Sequence, residues 1–257
     1  MLSKAKVKYL SSLKSKKYRQ KYNNFVAEGD KIAIEILKNA QNPTAVFPIE
    51  IEAIYGLSEW IDKNTDLLQP FRAITSEIDK SSLQKISSLQ TPNQALIVLK
   101  AFDYQLDADT IQRELTLLLD EIQDPGNLGT ILRIADWFGI KNVICSTNCA
   151  DVYNPKTIQA TMGAFLRVKT FRENLTDFCA TFKELPVYGA VLGGTNLFQT
   201  KLDKKALIVI GNEGRGISEA MLQQLTHRIE IPANGQAESL NAAIATGIIC
   251  AAFRNLE

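Results

Sequence analysis

Ile231-Pro-Ala-Asn-Gly-Gln-Ala-Glu-Ser-Leu-Asn-Ala-Ala-Ile-Ala-Thr-Gly-Ile-Ile-Cys250 is the stretch from which the fold can be read. It opens as the end of a short strand, crosses a small-residue loop holding Pro232 and Gly235, and becomes helical at about Ser239. Ser239 suits an N-cap, and Leu240 to Phe253 is apolar nearly all round, so a buried helix is expected. Glu238, Ser239 and Asn241 then sit where a loop meets that helix, a place that offers free backbone N–H groups and a positive dipole end. By itself the pattern fits a capped core helix as well as a ligand site.

The rest of the composition narrows the class. The chain has 257 residues, 46% hydrophobic and 22% charged, enough for one large or two ordinary soluble domains. No apolar run reaches the length of a membrane span, and the Lys-rich N-terminus lacks a signal-peptide core, so a cytoplasmic protein is expected. Cys145, Cys149, Cys179 and Cys250 show no zinc-type pairing and read as reduced thiols. With His227 as the single histidine, a His-based metal site or triad has almost no raw material, and no metal is expected. Net charge is only +1 but unevenly spread. Lys4, Lys6, Lys8, Lys14, Lys16, Lys17, Arg19 and Lys21 occur with no acidic residue among them, a one-signed patch suited to nucleic-acid phosphates.

Along the chain, residues 1 to about 100 read as a small α/β unit. Lys4–Tyr22 is expected as a helix, followed by Phe25-Val-Ala-Glu-Gly29 and a helix over Asp30–Asn39 with Ile32, Ala33, Ile36 and Leu37 at helical spacing. Strands are expected at Ala53–Tyr55, Phe71–Ile74 and Ala95–Lys100, and helices at Leu57–Lys63 and Ser76–Lys85. The Asp-rich segment Phe102–Thr110 reads as a linker. After it, strand patterns (Leu115–Leu119, Asn142–Cys145, Leu166–Thr170, Val187–Val191, Ala206–Ile210, Arg228–Ile231) alternate with helical ones (Leu128–Phe138, Pro155–Met162, Leu175–Glu184, Ser218–Leu225, Leu240–Phe253). Alternation of this kind implies a parallel sheet covered on both faces, with ligands beyond the carboxyl ends of its strands.

Three loops there carry polar residues suited to chemistry. Asp124-Pro-Gly-Asn-Leu-Gly-Thr-Ile-Leu-Arg133 follows the first strand and includes Asn127 and Arg133. Helix geometry alone does not bring those two side chains together. An arginine among Ile131, Leu132, Ile134 and Ala135 requires either an ion pair or a cleft. Gly211-Asn-Glu-Gly-Arg-Gly-Ile-Ser218 follows an apolar strand, and its glycines permit close backbone approach. It lacks the Lys-Ser or Lys-Thr of a phosphate-binding P-loop and has the wrong glycine order for a dinucleotide fingerprint. The third is the opening stretch, preceded by the strand and glycine pair Ala190-Val-Leu-Gly-Gly-Thr195.

Taken together, Asn127…Arg133, Gly-Asn-Glu-Gly-Arg-Gly at 211–216 and Ile-Pro…Glu-Ser-Leu-Asn at 231–241 resemble motifs 1, 2 and 3 of the SpoU-type RNA 2′-O-ribose methyltransferases of the trefoil-knotted SPOUT class. The match spans about Leu115 to Phe253. The basic N-terminal helix followed by Phe-Val-Ala-Glu-Gly resembles, more loosely, the RNA-binding extension of that family. The resemblance implies two domains: residues 1–103, a small L30e-like α/β RNA-binding domain, and residues 104–257, a parallel-sheet methyltransferase domain with a deep C-terminal trefoil knot. It implies S-adenosylmethionine as cofactor, gripped through backbone at Leu192, Gly193, Ile210, Gly211, Ile231 and Leu240, with a side chain at position 211 expected to block the adenosine. It also implies a homodimer in which the last helix and the first-motif helix pack at the interface, although a monomer core would also explain an apolar last helix.

By the same resemblance Arg133 is the catalytic arginine. A guanidinium of pKa above about 12 is a poor base, so gripping a phosphate and stabilising a developing alkoxide fits it better. Asn127 would orient that region, Glu213 would hold its loop or a partner subunit's arginine, and Ser239 and Asn241 would hydrogen-bond near the methyl acceptor. Glu238 is either a further proton acceptor or a favourable charge at the helix N-terminus. Only RNA supplies a 2′-hydroxyl. The separate N-terminal unit favours large-subunit ribosomal RNA over transfer RNA. A catalytically silent RNA-binding assembly protein is the rival reading.

Overall fold

The computed structural model describes residues 2–255. The chain divides into two compact units, one running to Tyr104 and taking in Tyr153–Arg167, the other comprising Gln105–Val152 and the residues from Val168 onward. The 153–167 segment, assigned by sequence to the second half, therefore belongs to the compact body of the first.

In the first unit, α1 (Lys4–Ser12) and α2 (Lys16–Tyr22) precede β1 (Asn24–Glu28) and α3 (Asp30–Ala40). With β2 (Ile51–Gly56), β3 (Thr75–Glu77) and β4 (Ala95–Lys100) they complete a four-stranded sheet of order β1-β4-β2-β3. β4 is antiparallel to both neighbours, whereas β2 and β3 are parallel. Ile32, Ala33, Ile36 and Leu37 of α3 are buried as their spacing requires. Three expectations fail here, the first being the Ser76–Lys85 helix, which starts only at Lys80 because Ser76 and Glu77 belong to β3 and Asp79 is the N-cap. The basic segment is two helices rather than one, because the chain turns at Leu13–Ser15, where Arg19 Nη1 donates to the Leu13 and Lys14 carbonyls, each at 2.8 Å. Phe71–Ile74 lies in a 3-10 turn (Gln69–Ile74) rather than a strand, since Pro70 at its start has a fixed φ and no N–H to give a ladder; the strand follows at Thr75.

In the second unit, β5 (Thr116–Leu119), β6 (Asn142–Cys145), β7 (Lys169–Arg172), β8 (Val187–Asn196), β9 (Leu207–Ile210) and β10 (His227–Glu230) form a wholly parallel six-stranded sheet of order β10-β8-β9-β5-β6-β7. Alternation sorts the core onto two faces. Leu117, Leu119, Ile208 and Ile210 pack with the Pro125–Trp137 and Ala242–Arg254 helices, and Leu118, Leu207 and Val209 pack with Leu175–Thr181 on the other side. β7 starts later than expected, at Lys169, because Ala164–Leu166 is a 3-10 turn entered through Gly163 at φ +92. Leu119 lies opposite both Cys145 and Ile210, so the loops after β5, β6 and β9 leave the sheet at one level. No helix among the described residues is long and apolar enough to cross a membrane.

The C-terminal helix differs from its expected form in two respects. It begins at Ala242, not near Ser239, because Asn241 rather than Ser239 is the N-cap: its Oδ1 accepts from the Ala243 and Ile244 N–H groups at 3.0 and 3.3 Å. Nor is it buried all round, for Ile244 is 56% exposed.

Candidate functional site

The site begins at the carboxyl end of β5. Asp124 caps the first-motif helix (Pro125–Trp137) by accepting from Asn127 N–H at 2.8 Å, and Pro125 occupies a first-turn position that needs no donor. Asn127 is thereby held at the mouth of the sheet. Just before it, Glu121 adopts φ +57, uncommon for a residue with a side chain. Contacts on several sides hold that conformation. Its N–H donates to Ser146 Oγ at 2.9 Å, its carbonyl accepts from Asn212 Nδ2 at 2.8 Å, and its carboxylate accepts from Asn148 Nδ2 at 2.8 Å.

After β9 the 211–218 loop closes on itself. Asn212 and Gly216 exchange backbone hydrogen bonds at 2.9 and 2.8 Å, and Asn212 Oδ1 accepts from the Gly214 and Arg215 N–H groups at 2.9 and 3.2 Å. Ser218 N–H donates to Asp120 Oδ2 at 2.7 Å, fastening the end of the loop to the residue that follows β5. Gly211 is required by this closure: a Cβ there would lie 2.4 Å from the Gly216 carbonyl carbon. The loop's own backbone is by itself enough to exclude a side chain at this position. Asn212, Asp120 and Glu121 were not singled out by sequence; a carboxylate pair directly following an apolar strand was the signal that could have marked the last two.

Glu213 stands exposed at the tip of that loop and joins the three motifs. Its Oε1 accepts from Asn127 Nδ2 and, at 2.8 Å, from Asn241 Nδ2; Asn241 Nδ2 also lies 3.0 Å from Asn127 Oδ1. The three side chains thus close a ring in which each contacts the other two. Beside it a cleft of about 370 Å³ runs between the first-motif and C-terminal helices, lined by Thr130, Ile134, Ala243, Ile244, Gly247 and Ile248 and ending at Asn127 and Asn241.

Other expected site residues lie outside this ring. Arg133 is exposed and makes no hydrogen bond or ion pair among the described residues, so the alternative of a structural ion pair is not realised. Six residues beyond Asn127 on the same helix, it points roughly 120° around the helix axis from Asn127. Ser239 and Glu238 belong to the exposed loop 232–240, and Ser239 caps nothing.

Of the residues assigned to the cofactor, Leu192 and Gly193 lie in the later part of β8, Ile210 and Gly211 at the end of β9 and Ile231 just after β10, whereas Leu240 lies in the loop 232–240. Ile210 is buried and Ile231 half-buried, so Ile210 can offer only backbone, while Leu192 and Leu240 are apolar side chains left 81% and 45% exposed. Gly193, at φ +74, has open space where a Cβ would project, and Gly194 brings β8 against β10, its missing Cβ lying 2.7 Å from the Ile229 carbonyl carbon. Exposed apolar groups beside accessible backbone suit an adenosine and a sulfonium side chain, so these residues fit S-adenosylmethionine.

In the first unit Lys4, Lys6, Lys8, Lys14, Lys16 and Lys17 are all exposed, as an RNA contact needs. Arg19 is not: it is 5% exposed and spends its guanidinium on the Leu13 and Lys14 carbonyls. Arg19 is thus a structural clamp for the α1–α2 turn rather than a phosphate contact.

Comparison with known proteins agrees with this arrangement. Residues 114–251 match the SpoU rRNA methylase family and residues 4–97 match an MRM3-like substrate-binding domain. The chain is 30% identical over 247 residues to the 23S rRNA (guanosine(2553)-2′-O)-methyltransferase RlmP of Bacillus subtilis, covering 95% of this chain and 94% of that one. Among solved structures, a TrmH-family protein of Porphyromonas gingivalis shares 38% identity with a TM-score of 0.82, covering 99% of this chain and 98% of that one. An AdoMet-bound rRNA methyltransferase of Sinorhizobium meliloti shares 26% identity with a TM-score of 0.85, covering 99% and 95%. With the family match spanning more than half of the sequence and the three motif loops joined through Asn127, Glu213 and Asn241, the chain belongs to the SpoU rRNA methylase family.

Proposed function

We propose that this protein methylates a ribose 2′-hydroxyl in large-subunit ribosomal RNA, using S-adenosylmethionine, and acts as a cytoplasmic homodimer. The observation that carries the reading is the ring of Asn127, Glu213 and Asn241, which ties the three motif loops together at the carboxyl ends of a parallel sheet. In this reading the segment from about Leu192 to Leu240 forms the family's trefoil knot. The backbone of Leu192, Gly193, Ile210, Gly211, Ile231 and Leu240 holds the cofactor, which when bound supplies an electrophilic methyl on a sulfonium. Arg133, exposed and unpaired among the described residues, is placed to grip a substrate phosphate and to favour the alkoxide as the hydroxyl loses its proton. Ser239, exposed on the loop 232–240, orients the acceptor ribose, Asn241 acts through the ring by fixing the start of that site, and the lysines of the first unit supply phosphate contacts.

The cleft between the first-motif and C-terminal helices supports the dimer reading. Ile244 is left 56% exposed beside Ile134 and Ile248, so the apolar C-terminal helix is not accounted for by the monomer core alone. The test is transfer of labelled methyl from S-adenosylmethionine to total RNA from cells lacking the protein, comparing wild type with Arg133→Ala. Label in an alkali-resistant dinucleotide of ribosomal RNA, with wild type only, supports the proposal. Label in transfer RNA corrects the substrate. Cofactor binding without transfer, on free RNA or ribosomal subunits, favours a silent binding protein.

A further inference from the structure

Resting on the reading of the first unit as an RNA-binding body, we infer that Tyr18 and Tyr22 form a stacking platform for unpaired RNA bases. Both rings belong to α2 and are 37% and 40% exposed, and they lie nearly parallel, with an interplanar angle of 16° and centroids 6.2 Å apart. Tyr9 meets Tyr22 edge-on at 5.1 Å, and its hydroxyl accepts from Asn24 Nδ2 at 2.7 Å, which fixes the supporting ring from behind. Lys21 Nζ sits 5.5 Å from the Tyr22 centroid, and Lys6 Nζ the same distance from that of Tyr9.

Two aromatic faces are therefore held in place before any ligand arrives, so a base landing on them costs little further ordering. The surroundings select the occupant. Lys21 sits beside Tyr22, Lys16 and Lys17 are exposed on the same helix, Lys14 donates to the Ser87 carbonyl at 2.6 Å, and the first acidic residue of the chain is Glu28, itself buried against Ser87 and Ser88. Aromatic faces beside cations match a nucleic-acid strand, whose bases stack while its phosphates pair with ammonium groups; Glu52, a carboxylate that acts on Tyr9, is itself 3.8 Å from Lys100 Nζ. A base can reach a tyrosine face only where it is unpaired, so the platform fits a loop, bulge or single strand and not a duplex. The lysines supply attraction without regard to base pairing; the tyrosines supply the preference for unpaired nucleotides.

The experiment measures binding of the full-length protein to a single-stranded RNA oligonucleotide containing 2-aminopurine and to the same sequence as a duplex, across a salt series. Tyr18→Ala and Tyr22→Ala are each expected to weaken single-strand binding about tenfold and to remove the fluorescence quenching of the probe. Duplex binding and the salt slope should stay unchanged. Tyr18→Phe and Tyr22→Phe should bind as wild type, which excludes loss through misfolding. Equal loss on single strand and duplex, or no loss at all, overturns the platform. Substituting Lys16, Lys17 and Lys21 by Gln is the separate control. If that lowers the salt slope while the tyrosine variants bind normally, the RNA-binding reading stands and the platform falls. If neither set changes binding, the RNA-binding reading itself fails and the platform with it.

Discussion

Asn241 Nδ2 donates to Glu213 Oε1 at 2.8 Å, while Asn241 Oδ1 caps the C-terminal helix at its first turn. One side chain thus both starts the C-terminal helix and fastens the second motif to the third. Asn241→Asp keeps the cap acceptor but replaces the donor with a carboxylate facing Glu213. Thermal stability is expected to stay within about 1 kcal/mol of wild type, since Asp caps as well as Asn and the repulsion is partly solvated. Methyl transfer should fall by about tenfold or more as the ring opens. Asn241→Ala loses both roles and should also cost about 1 kcal/mol in unfolding measurements.

Arg133 is exposed and unpaired among the described residues, in a helix whose other face is buried, so it contributes little to the fold. Arg133→Ala should leave denaturant unfolding within about 0.5 kcal/mol of wild type. Turnover should drop by about 10²-fold or more, as when a charge-stabilising donor is removed. Arg133→Lys should restore only part of it, because an ammonium cannot reproduce the planar fork. An unfolding change as large as the loss of turnover would assign Arg133 to structure.

Gly211 and Gly193 separate loop closure from ligand contact. Gly211→Ala places a Cβ 2.4 Å from the Gly216 backbone, so it should destabilise the protein by about 1–3 kcal/mol even without cofactor. Gly193→Ala meets open space and is strained only by its φ of +74, so its stability loss should be smaller, on the order of 1 kcal/mol. Calorimetric titration with S-adenosylmethionine should show Gly193→Ala weakening binding, and equal wild-type affinity would place the cofactor elsewhere.

Asp79 caps the Lys80–Ile86 helix, and hydrogen bonds from the Ser81 hydroxyl and the Ser82 N–H draw its carboxyl down from the ordinary 3.8 to about 2. The folded state therefore holds the carboxylate more strongly than the unfolded chain does. Its contribution is complete above pH 3.8 and is lost as pH falls from there through about 2. Asp79→Asn should keep much of the cap while flattening the acid limb of a stability–pH curve in that window.

The amino-acid pattern alone determined the class of fold and the identity of the family. Apolar runs such as Leu207–Ile210 can only be strands buried on both faces, and β6 and β4 begin and end where the residue pattern placed them, at Asn142–Cys145 and Ala95–Lys100. The three motif loops were legible because their residue types and order after strands are local features. What the sequence could not supply was which polar groups meet. Asn127, Glu213 and Asn241 span 114 positions, and only the parallel order β10-β8-β9-β5 brings their loops to one end. Ser239 looked like the cap because a hydroxyl before an apolar run suits one, yet the Asn241 contact with Glu213 and Asn127 stabilises a later start. Arg19 looked like its lysine neighbours in charge, but the turn at Leu13–Ser15 folds α2 back so that its guanidinium meets carbonyls instead of solvent. Local propensity decides which elements form; packing decides which side chains are left over to act, because burial and hydrogen-bond partners are set by residues far apart in the chain.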